Sequence, residues 1–171
     1  MVMPAARADL FAFLDKHNIA HTTVEHAPVH TVAEGAGVKA AIPGLHSKNL
    51  FLRSRDRRLF LVCAEGHAEV RVNQLHKRLG CKRLSFGSVE DMERTLGVRP
   101  GSVTLFGLLN DAGGEVTLVM DRVLAEAPLV NFHPLLNDAS TRISGTDAMR
   151  FAEATEHAPV VLSRAELAGE G

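Results

Sequence analysis

The stretch Pro43–Gly66, PGLHSKNLFLRSRDRRLFLVCAEG, has the pattern of a β-hairpin, and the rest of the chain is interpreted around it. Two apolar segments, Asn49–Leu52 and Leu59–Ala64, flank a polar, basic turn at Ser54–Arg58. Because Leu59–Ala64 is apolar at every position, both faces of that strand are expected to be covered. Lys48 stands at the mouth of the first strand, so it is either a surface lysine with a buried stem or a cation positioned in a cleft.

The composition is that of a chain with one sizeable core. It has 171 residues, of which 46% are hydrophobic, and we expect a single domain over residues 1–171. The longest apolar run, Leu59–Ala64, is far shorter than the roughly 18 residues of a membrane helix, and the N-terminus MVMPAARADL lacks the apolar region of a signal peptide. Cys63 and Cys81 lack CxxC spacing, which indicates reduced thiols in a cytoplasmic protein.

Helices and strands are predicted along the whole chain without strict βαβ alternation. Apolar spacing and capping residues predict helices at Ala5–His17, Thr31 to about Ala41, Glu69–Leu79, Val89–Leu96 and Ser144 to about Ala154. Short strands are predicted at His21–Glu25, Arg83–Phe86, Val103–Leu109, Glu115–Met120, Leu129–Phe132, Ser140–Ile143 and Val160–Leu162. Glu115–Met120 is expected to be the hairpin partner of Val103–Leu109, and residues 165–171 to form a frayed tail. This order indicates an α+β fold with a mixed sheet.

The net charge of −1 conceals an uneven distribution of charge along the chain. Residues 39–83 contain 11 Lys and Arg against 3 Asp and Glu, a local charge of +8, and the remainder carries −9. A split of this size favours one face that binds a polyanion. The alternative is an ordinary solvated face, because neighbours in sequence need not share one surface.

The histidines do not predict a metal site. The chain has nine of them, including two pairs at i, i+4 spacing, His17/His21 and His26/His30. Pro28 interrupts the second pair, and the first straddles the expected end of a helix. Because no HExxH motif or cysteine cluster accompanies them, no metal is expected.

Two further patterns allow alternative interpretations. Ser102 and His133 would suit a nucleophile and its base, but a turn serine and a loop histidine are the simpler interpretation. The segment Gly101–Gly107 follows a Pro-Gly turn and presents backbone N–H groups and small side chains. It either binds a small carbonyl or carboxyl group through its main-chain N–H donors or is an ordinary tight turn without a ligand.

Three motifs occur in an order and at a spacing that resemble a known family. They are Ser47-Lys48-Asn49-Leu50-Phe51-Leu52, Pro100-Gly101-Ser102-Val103-Thr104 with Asn110-Asp111, and Phe132-His133-Pro134. From about Ala20 to Leu162 the chain resembles the YbaK/ProX family of aminoacyl-tRNA editing proteins. The branch it looks most like is the free-standing prolyl-tRNA editing proteins, which deacylate Ala-tRNA(Pro). One position departs from the pattern, because Leu105 stands where the family's glycine loop usually ends in proline.

The resemblance implies an α+β domain with a mixed sheet around a small pocket, and hydrolysis of the ester that joins a wrong amino acid to the tRNA 3′ end. By position, Lys48 is implied as the essential cation, Asn49 as its neighbour in the pocket, Gly101 as a backbone donor and His133 as a residue of the pocket wall. The implied mechanism is similar to substrate-assisted catalysis, in which the terminal ribose hydroxyl helps direct water and no cofactor takes part. The other candidates for substrate binding are Ser102, Val103, Thr104, Phe106 and Phe132.

The resemblance also gives the basic segment a use, since tRNA binding needs phosphate contacts. Aminoacylated tRNA(Pro) is the expected partner, with a prolyl-tRNA synthetase as a further candidate and no membrane or DNA partner. The candidate RNA-binding residues are Arg53, Arg55, Arg57, Arg58, Lys77 and Arg78.

Selectivity is expected to follow from size. A synthetase pocket shaped for proline cannot strongly reject alanine, because lost apolar contacts are worth only about 1–3 kcal/mol, whereas a smaller second pocket excludes the proline ring. The alternatives are the same hydrolysis of another small aminoacyl group, cysteine or serine, and a non-catalytic module that binds tRNA ends or a synthetase.

Overall fold

The structure is a computed structural model that describes residues 3–28, 36–37 and 40–170. Its helices are α1 (Arg7–Lys16), α2 (Val72–Leu79), α3 (Val89–Leu96), α4 (Arg122–Ala125), α5 (Gly145–Ala154) and α6 (Arg164–Leu167), with a 3₁₀ helix at Leu105–Asn110. Its strands are β1 (Thr22–Glu25), β2 (Leu45–Ser54), β3 (Leu59–Glu65), β4 (Leu84–Phe86), β5 (Val116–Asp121), β6 (Val130–Phe132), β7 (Ala139–Ile143) and β8 (Val160–Leu162). The helix predicted from Thr31 to about Ala41 lies largely outside the described residues.

These strands join in one mixed sheet in the order β1-β7-β6-β2-β3-β5-β8, with β4 pairing to β2 off this path. The β2 and β3 strands are antiparallel from Ser47↔Glu65 to Arg53↔Leu59, which confirms the predicted hairpin. The β3–β5, β5–β8 and β2–β6 pairs are parallel. The prediction of an α+β fold with a mixed sheet is therefore confirmed.

Strand β3 is buried at every position, as its apolar run predicts. Its side chains alternate between two apolar clusters, one on each face of the sheet. Leu61 and Cys63 belong to the larger cluster, which α1, α3 and α5 complete. Phe60 and Val62 belong to the smaller cluster, where α2 and α6 cover the sheet. Because both faces are covered, the hairpin forms the centre of the molecule.

Capping residues set four helix ends where the sequence predicts them. Ser88 Oγ accepts a hydrogen bond from the backbone N–H of the third residue of α3 at 3.0 Å, and Ser144 Oγ does the same for α5 at 3.0 Å. Gly80 and Gly97 end α2 and α3 in the left-handed region, with φ of 63° and 66°. Helix α2 begins three residues later than predicted, because the Arg71 amide donates to a carbonyl of α6 at 2.9 Å.

Two predictions between residues 103 and 120 are wrong. The segment predicted as the strand Val103–Leu109 turns instead into the 3₁₀ helix, since Thr104 Oγ1 accepts from the Phe106 amide at 3.3 Å. Gly107 allows this turn to pack closely on α3: a Cβ there would lie 3.0 Å from Leu96 Cβ. Strand β5 consequently has no hairpin partner before it and pairs in parallel with β3.

The C-terminal segment is ordered against the sheet through α6, unlike the frayed tail predicted at residues 165–171. Ser163 and Glu166 form a capping box: the Ser163 hydroxyl accepts from the Glu166 amide, and the Glu166 carboxylate accepts from the Ser163 amide, each at 3.1 Å. Leu167 is fully buried in the smaller cluster. That one anchoring side chain, among polar and small neighbours, is too short a pattern to be recognised in the sequence.

Candidate active site

Strand β2 changes partners along one of its edges and leaves part of that edge open. On that edge β6 pairs with Leu45 and His46, and β4 pairs with Leu52–Ser54, whereas β3 occupies the opposite edge. Between the two shorter strands, no strand of the described chain pairs with residues 47–50 on that edge. The opening exposes strand backbone next to side chains from both faces of the sheet. It contains the Ser47-Lys48-Asn49 motif and is the candidate active site.

Lys48 lies inside this open segment, fourth in β2, and not at the mouth of the strand as predicted. It pairs with Ala64 across the hairpin and shares its face of the sheet with Leu50, so its half-buried stem runs towards the smaller cluster. The Lys48 ammonium donates to the backbone carbonyl of Ala68. Among the described residues, no carboxylate forms an ion pair with Lys48. A neutral acceptor therefore orients this cation without neutralising it.

Asn49 points to the opposite face of the sheet from Lys48, because successive strand residues alternate. Its Nδ2 donates to Ser47 Oγ at 3.1 Å, and that hydroxyl donates to the Asn131 carbonyl at 2.8 Å. This chain fixes the amide so that Asn49 Oδ1 is the free end, and this buried oxygen has no hydrogen-bond partner within the described residues. An unsatisfied buried acceptor costs about 1–3 kcal/mol, so it is a candidate ligand contact.

The Gly101 loop meets the loop that follows β6. Gly101 has φ +89°, which glycine adopts without strain, and a Cβ built there would lie 3.7 Å from Asn137 Nδ2. Ser102 and Thr104 are buried, and Thr104 caps the 3₁₀ helix. Val103 is half-buried. Of these three predicted substrate contacts, Val103 therefore has the most accessible surface to offer a ligand.

His133 directly follows β6 and begins the loop 133–138. Its Nδ1 lies 3.2 Å from the Ala139 carbonyl oxygen, and because a carbonyl only accepts, Nδ1 is the donor. Helix α1 anchors the loop, as Arg7 donates to the Pro134 carbonyl at 3.1 Å and to Asp138 Oδ1 at 2.5 Å. The Arg7 guanidinium lowers the pKa of Asp138 below its usual value. Asp138 is thus held by Arg7.

Phe106 and Phe132 lie in the core behind the site. Their exposed fractions are 0% and 2%, and their rings meet edge to face with centroids 5.5 Å apart. Phe106 makes a similar contact with Phe151 at 5.3 Å. Such packing gives a rigid support. Both residues were predicted to contact the substrate, and their burial means that they would act on it through the side chains in front of them.

The six predicted RNA-binding residues are divided between two clefts at the far end of the β2–β3 hairpin and the surface of α2. One cleft, of about 400 Å³, is lined by Arg53, Arg57, Arg58, Leu59, Asp91, Arg94, Glu115 and Thr117. Arg55 lines a separate cleft of about 600 Å³. On α2, Lys77 is exposed, and Arg78 lies 3.7 Å from a Glu166 carboxylate oxygen.

The remaining reactive groups offer no metal site and no activated thiol in the described part of the chain. Across residues 3–28, 36–37 and 40–170, no three His, Cys, Asp or Glu side chains are grouped to hold a metal ion. Burial raises the pKa of the Cys63 and Cys81 thiols, which keeps them protonated near neutral pH. None of the helices in this described part of the chain has the length and apolar character needed to cross a membrane.

The fold and the motifs place the chain in a known class. The family model for the aminoacyl-tRNA editing domain matches residues 26–151, a span that includes β2, the Gly101 loop and His133. The chain therefore belongs to the YbaK/ProX-type family of aminoacyl-tRNA editing domains, which confirms the resemblance seen in its motifs.

Named relatives cover most of the chain. The chain is 37% identical over 159 residues to prolyl-tRNA synthetase associated domain-containing protein 1 of Danio rerio. The aligned region covers 92% of this chain and 86% of that protein. The chain is also 33% identical over 150 residues to the prolyl-tRNA editing protein ProX of Acetoanaerobium sticklandii, covering 87% and 92% of the two chains.

Solved structures share the fold at low identity. The crystal structure of hypothetical protein APE2540 superposes with a TM-score of 0.70 at 18% identity and covers 92% of this chain and 97% of its own. A crystal structure described as a candidate trans-editing enzyme for prolyl tRNA synthetase gives a TM-score of 0.68 at 16% identity, over 93% and 96% of the two chains. At these identities the likeness establishes the fold alone.

Proposed function

We propose that this chain is a trans-editing hydrolase that deacylates mischarged Ala-tRNA(Pro). The observation that carries the proposal is the Lys48 cation at the open edge of β2, which no described carboxylate neutralises, next to Asn49 Oδ1, which has no hydrogen-bond partner among the described residues. Membership of the editing family supports the reaction class, and the names of two relatives support prolyl-tRNA as the system that is edited. A prolyl-tRNA synthetase is the further partner that these names suggest.

In the proposed reaction, water attacks the carbonyl carbon of the aminoacyl ester, and the bond from that carbon to the ribose oxygen breaks. The leaving ribose oxygen takes up a proton, so the products are free alanine and intact tRNA. The terminal ribose hydroxyl directs the water, which makes a protein nucleophile unnecessary. The burial of Ser102 and the protonated thiols agree with this substrate-assisted route.

Lys48 would stabilise the negative charge that develops on the ester oxygen. An ammonium has three N–H donors, and the bond to the Ala68 carbonyl uses one, which leaves others for the ligand. The Gly101 amide would supply a further donor, whereas the Ser102 amide already donates to the Arg99 carbonyl at 3.0 Å. Asn49 Oδ1 would accept a hydrogen bond from the substrate's α-ammonium group or ribose, and His133 would form the wall of the pocket.

The preference for alanine over proline would be steric. Val103 presents the accessible surface of the Gly101 loop, while Phe106 and Phe132 support it from the core. Alanine and proline carry the same ester, so a pocket with these apolar walls can separate them only by the volume of the side chain.

The proposed function is tested with a panel of tRNAs charged with alanine, cysteine, serine or proline. We expect ester loss from Ala-tRNA(Pro) to be fastest and Pro-tRNA(Pro) to survive, with EDTA leaving the rate unchanged. Faster loss of the cysteinyl or seryl ester would move the assignment to that substrate. Tight tRNA binding without hydrolysis of any ester would instead favour the non-catalytic module.

A further inference from the structure

The tip of the β2–β3 hairpin and the start of β4 enclose a cleft of about 600 Å³, and all the described residues that line it are basic. These are Arg55, His76, Lys82 and Arg83, and we call this space the basic cleft. The His76 Nδ1 atom is buried and has no hydrogen-bond partner within the described residues. A ring nitrogen left in this state costs free energy unless a ligand or water satisfies it.

The backbone holds two of these cations opposite one another. The Arg55 amide donates to the Arg83 carbonyl at 3.0 Å, one step beyond the Ser54↔Leu84 pair of the β2–β4 ladder. Like charges directly opposite in an antiparallel pair destabilise it. An anion between the two guanidinium groups would turn this repulsion into attraction on both sides.

The acidic group beside the basic cleft is already engaged. Asp56 is exposed, and hydrogen bonds from Ser54 and from the Lys82 amide, with the charge of Arg58, lower the pKa of its carboxyl. Its charge is therefore directed towards backbone and Arg58. The C-terminal end of helix α2 carries a partial negative charge of roughly half an elementary charge. The positive charge of the basic residues in the last turn of α2 is larger than this.

In the neighbouring cleft of about 400 Å³, two arginines are paired with carboxylates, and we call this space the compensated cleft. There Arg94 lies 3.0 Å from an Asp91 carboxylate oxygen and 2.8 Å from Glu115, and Arg53 lies 3.8 Å from Asp91. Arg53 and Arg94 of that cleft thus have carboxylate partners, whereas Arg55 and Arg83 of the basic cleft are not ion-paired to any described carboxylate.

We propose that the basic cleft formed by Arg55, His76, Lys82 and Arg83 binds backbone phosphates of the RNA whose 3′ end enters the candidate active site. Arg55 lies seven residues along the chain from Lys48, a distance on the order of 20 Å at strand spacing. A phosphate held there belongs to the body of a folded RNA and not to the terminal nucleotide. This inference rests on the proposed function for the identity of the RNA.

The test compares three variants that each lose arginine charge: Arg83→Gln, the double variant Arg55→Gln/Arg83→Gln, and the matched control Arg94→Gln from the compensated cleft. Binding of uncharged tRNA(Pro) is measured by filter binding between 50 and 200 mM salt. We expect Arg83→Gln to weaken binding about three- to tenfold at low salt, and each lost phosphate contact to reduce the salt slope by about 0.7–0.9. Arg94→Gln should stay within about twofold of wild type. Equal effects of Arg83→Gln and Arg94→Gln, or no effect of the double variant, overturn the proposal.

A second arm separates RNA phosphate from free phosphate. Inorganic phosphate is titrated against wild type and the double variant while the melting temperature is followed. Stabilisation of wild type by phosphate, with tRNA affinity insensitive to the double substitution, would assign the cleft to free phosphate and overturn the RNA assignment. Because uncharged tRNA has no ester, this binding test stays valid even if no aminoacyl-tRNA is hydrolysed, so failure of the proposed function is recognised separately.

Discussion

The two ends of strand β2 both carry cations, but they are built differently. At the N-terminal end, Lys48 is one half-buried ammonium oriented by a backbone carbonyl and surrounded by an open strand edge. At the C-terminal end, Arg55 belongs to a group of exposed or half-buried basic residues around an open cleft. A single oriented cation suits stabilisation of charge at one atom, whereas a dispersed group suits a polyanion. The difference suggests that chemistry and RNA affinity are separated along one strand.

The largest expected effect is on the rate of ester hydrolysis when Lys48, near the N-terminal end of β2, is replaced. Replacing Lys48 with alanine should reduce the deacylation rate at saturating enzyme by about 10²–10³, the usual effect of removing one charge-stabilising donor. The melting temperature should fall only slightly, because the side chain is half-buried and loses mainly packing of its stem. The measurement is single-turnover ester loss from Ala-tRNA(Pro), with Lys48→Arg showing whether charge alone restores part of the rate.

Replacing Asp111, which lies away from both ends of β2, should lower the stability of the fold without changing deacylation or RNA binding. Asp111 is buried, and although burial disfavours its charge, hydrogen bonds from His157 at 2.8 Å and from the amides of Val116 and Glu115 lower its pKa. Replacing Asp111 with asparagine should cost about 3–5 kcal/mol of unfolding free energy at neutral pH.

The pH dependence of that cost has a defined sign. The pKa of Asp111 is lower in the folded protein than in the unfolded chain. Its carboxylate therefore contributes fully to the free energy of unfolding above the ordinary carboxyl pKa, and this contribution is lost as the pH falls through the folded-state pKa. The unfolding free energies of wild type and Asp111→Asn, measured in urea, should therefore converge as the pH is lowered. A difference that grows on acidification would contradict this explanation, and the rate of ester loss by the folded variant serves as the control.

A smaller effect is expected on selectivity at the Lys48 end. Trimming half-buried Val103 to alanine should raise hydrolysis of Pro-tRNA(Pro) relative to Ala-tRNA(Pro) by about 10-fold, the lower end of the roughly 10- to 200-fold that one methylene contributes in an apolar pocket. Phe132→Ala is the less informative variant, because emptying a fully buried site costs about 3–5 kcal/mol. An unchanged ratio of the two rates in folded Val103→Ala would mean that this side chain does not form the sieve.

The smallest effect is expected in the compensated cleft. Arg94→Gln removes an exposed cation whose two partners are Asp91 and Glu115, and such pairs contribute about 0–1 kcal/mol to stability. Chemical denaturation should detect a loss within that range, with the rate of ester loss unchanged. A loss well above it would show that these charges form a structural network.

Local patterns in the sequence predicted most of the elements. Serines at N-caps gave the starts of α3 and α5, glycines at C-caps gave the ends of α2 and α3, and uninterrupted apolar character gave the buried β3. Prediction failed where one side chain decides the backbone, as when Thr104 turns residues 105–110 into a 3₁₀ helix. It also failed for β5, because parallel pairing with β3 depends on long-range topology and not on a neighbouring turn.

The candidate site was only partly accessible to sequence reasoning. Lys48 and Gly101 stand out by their motifs, but the open edge depends on where β4 and β6 stop pairing with β2. The alternation that separates Lys48 from Asn49 follows once both are known to lie inside the strand. The basic cleft joins Arg55 to Lys82 and Arg83 across a strand pair, so counting charges along the chain detects the basic segment but not the grouping.

One titration tests the separation of chemistry from affinity most directly. Single-turnover deacylation of Ala-tRNA(Pro) is measured against enzyme concentration for wild type, Lys48→Ala and Arg55→Gln/Arg83→Gln. We predict that Lys48→Ala loses at least about 100-fold in the plateau rate while its half-saturating concentration stays within about threefold of wild type. The double variant should raise the half-saturating concentration at least about fivefold. A Lys48→Ala plateau within tenfold of wild type, or a defect seen wholly as weaker saturation, would contradict the account.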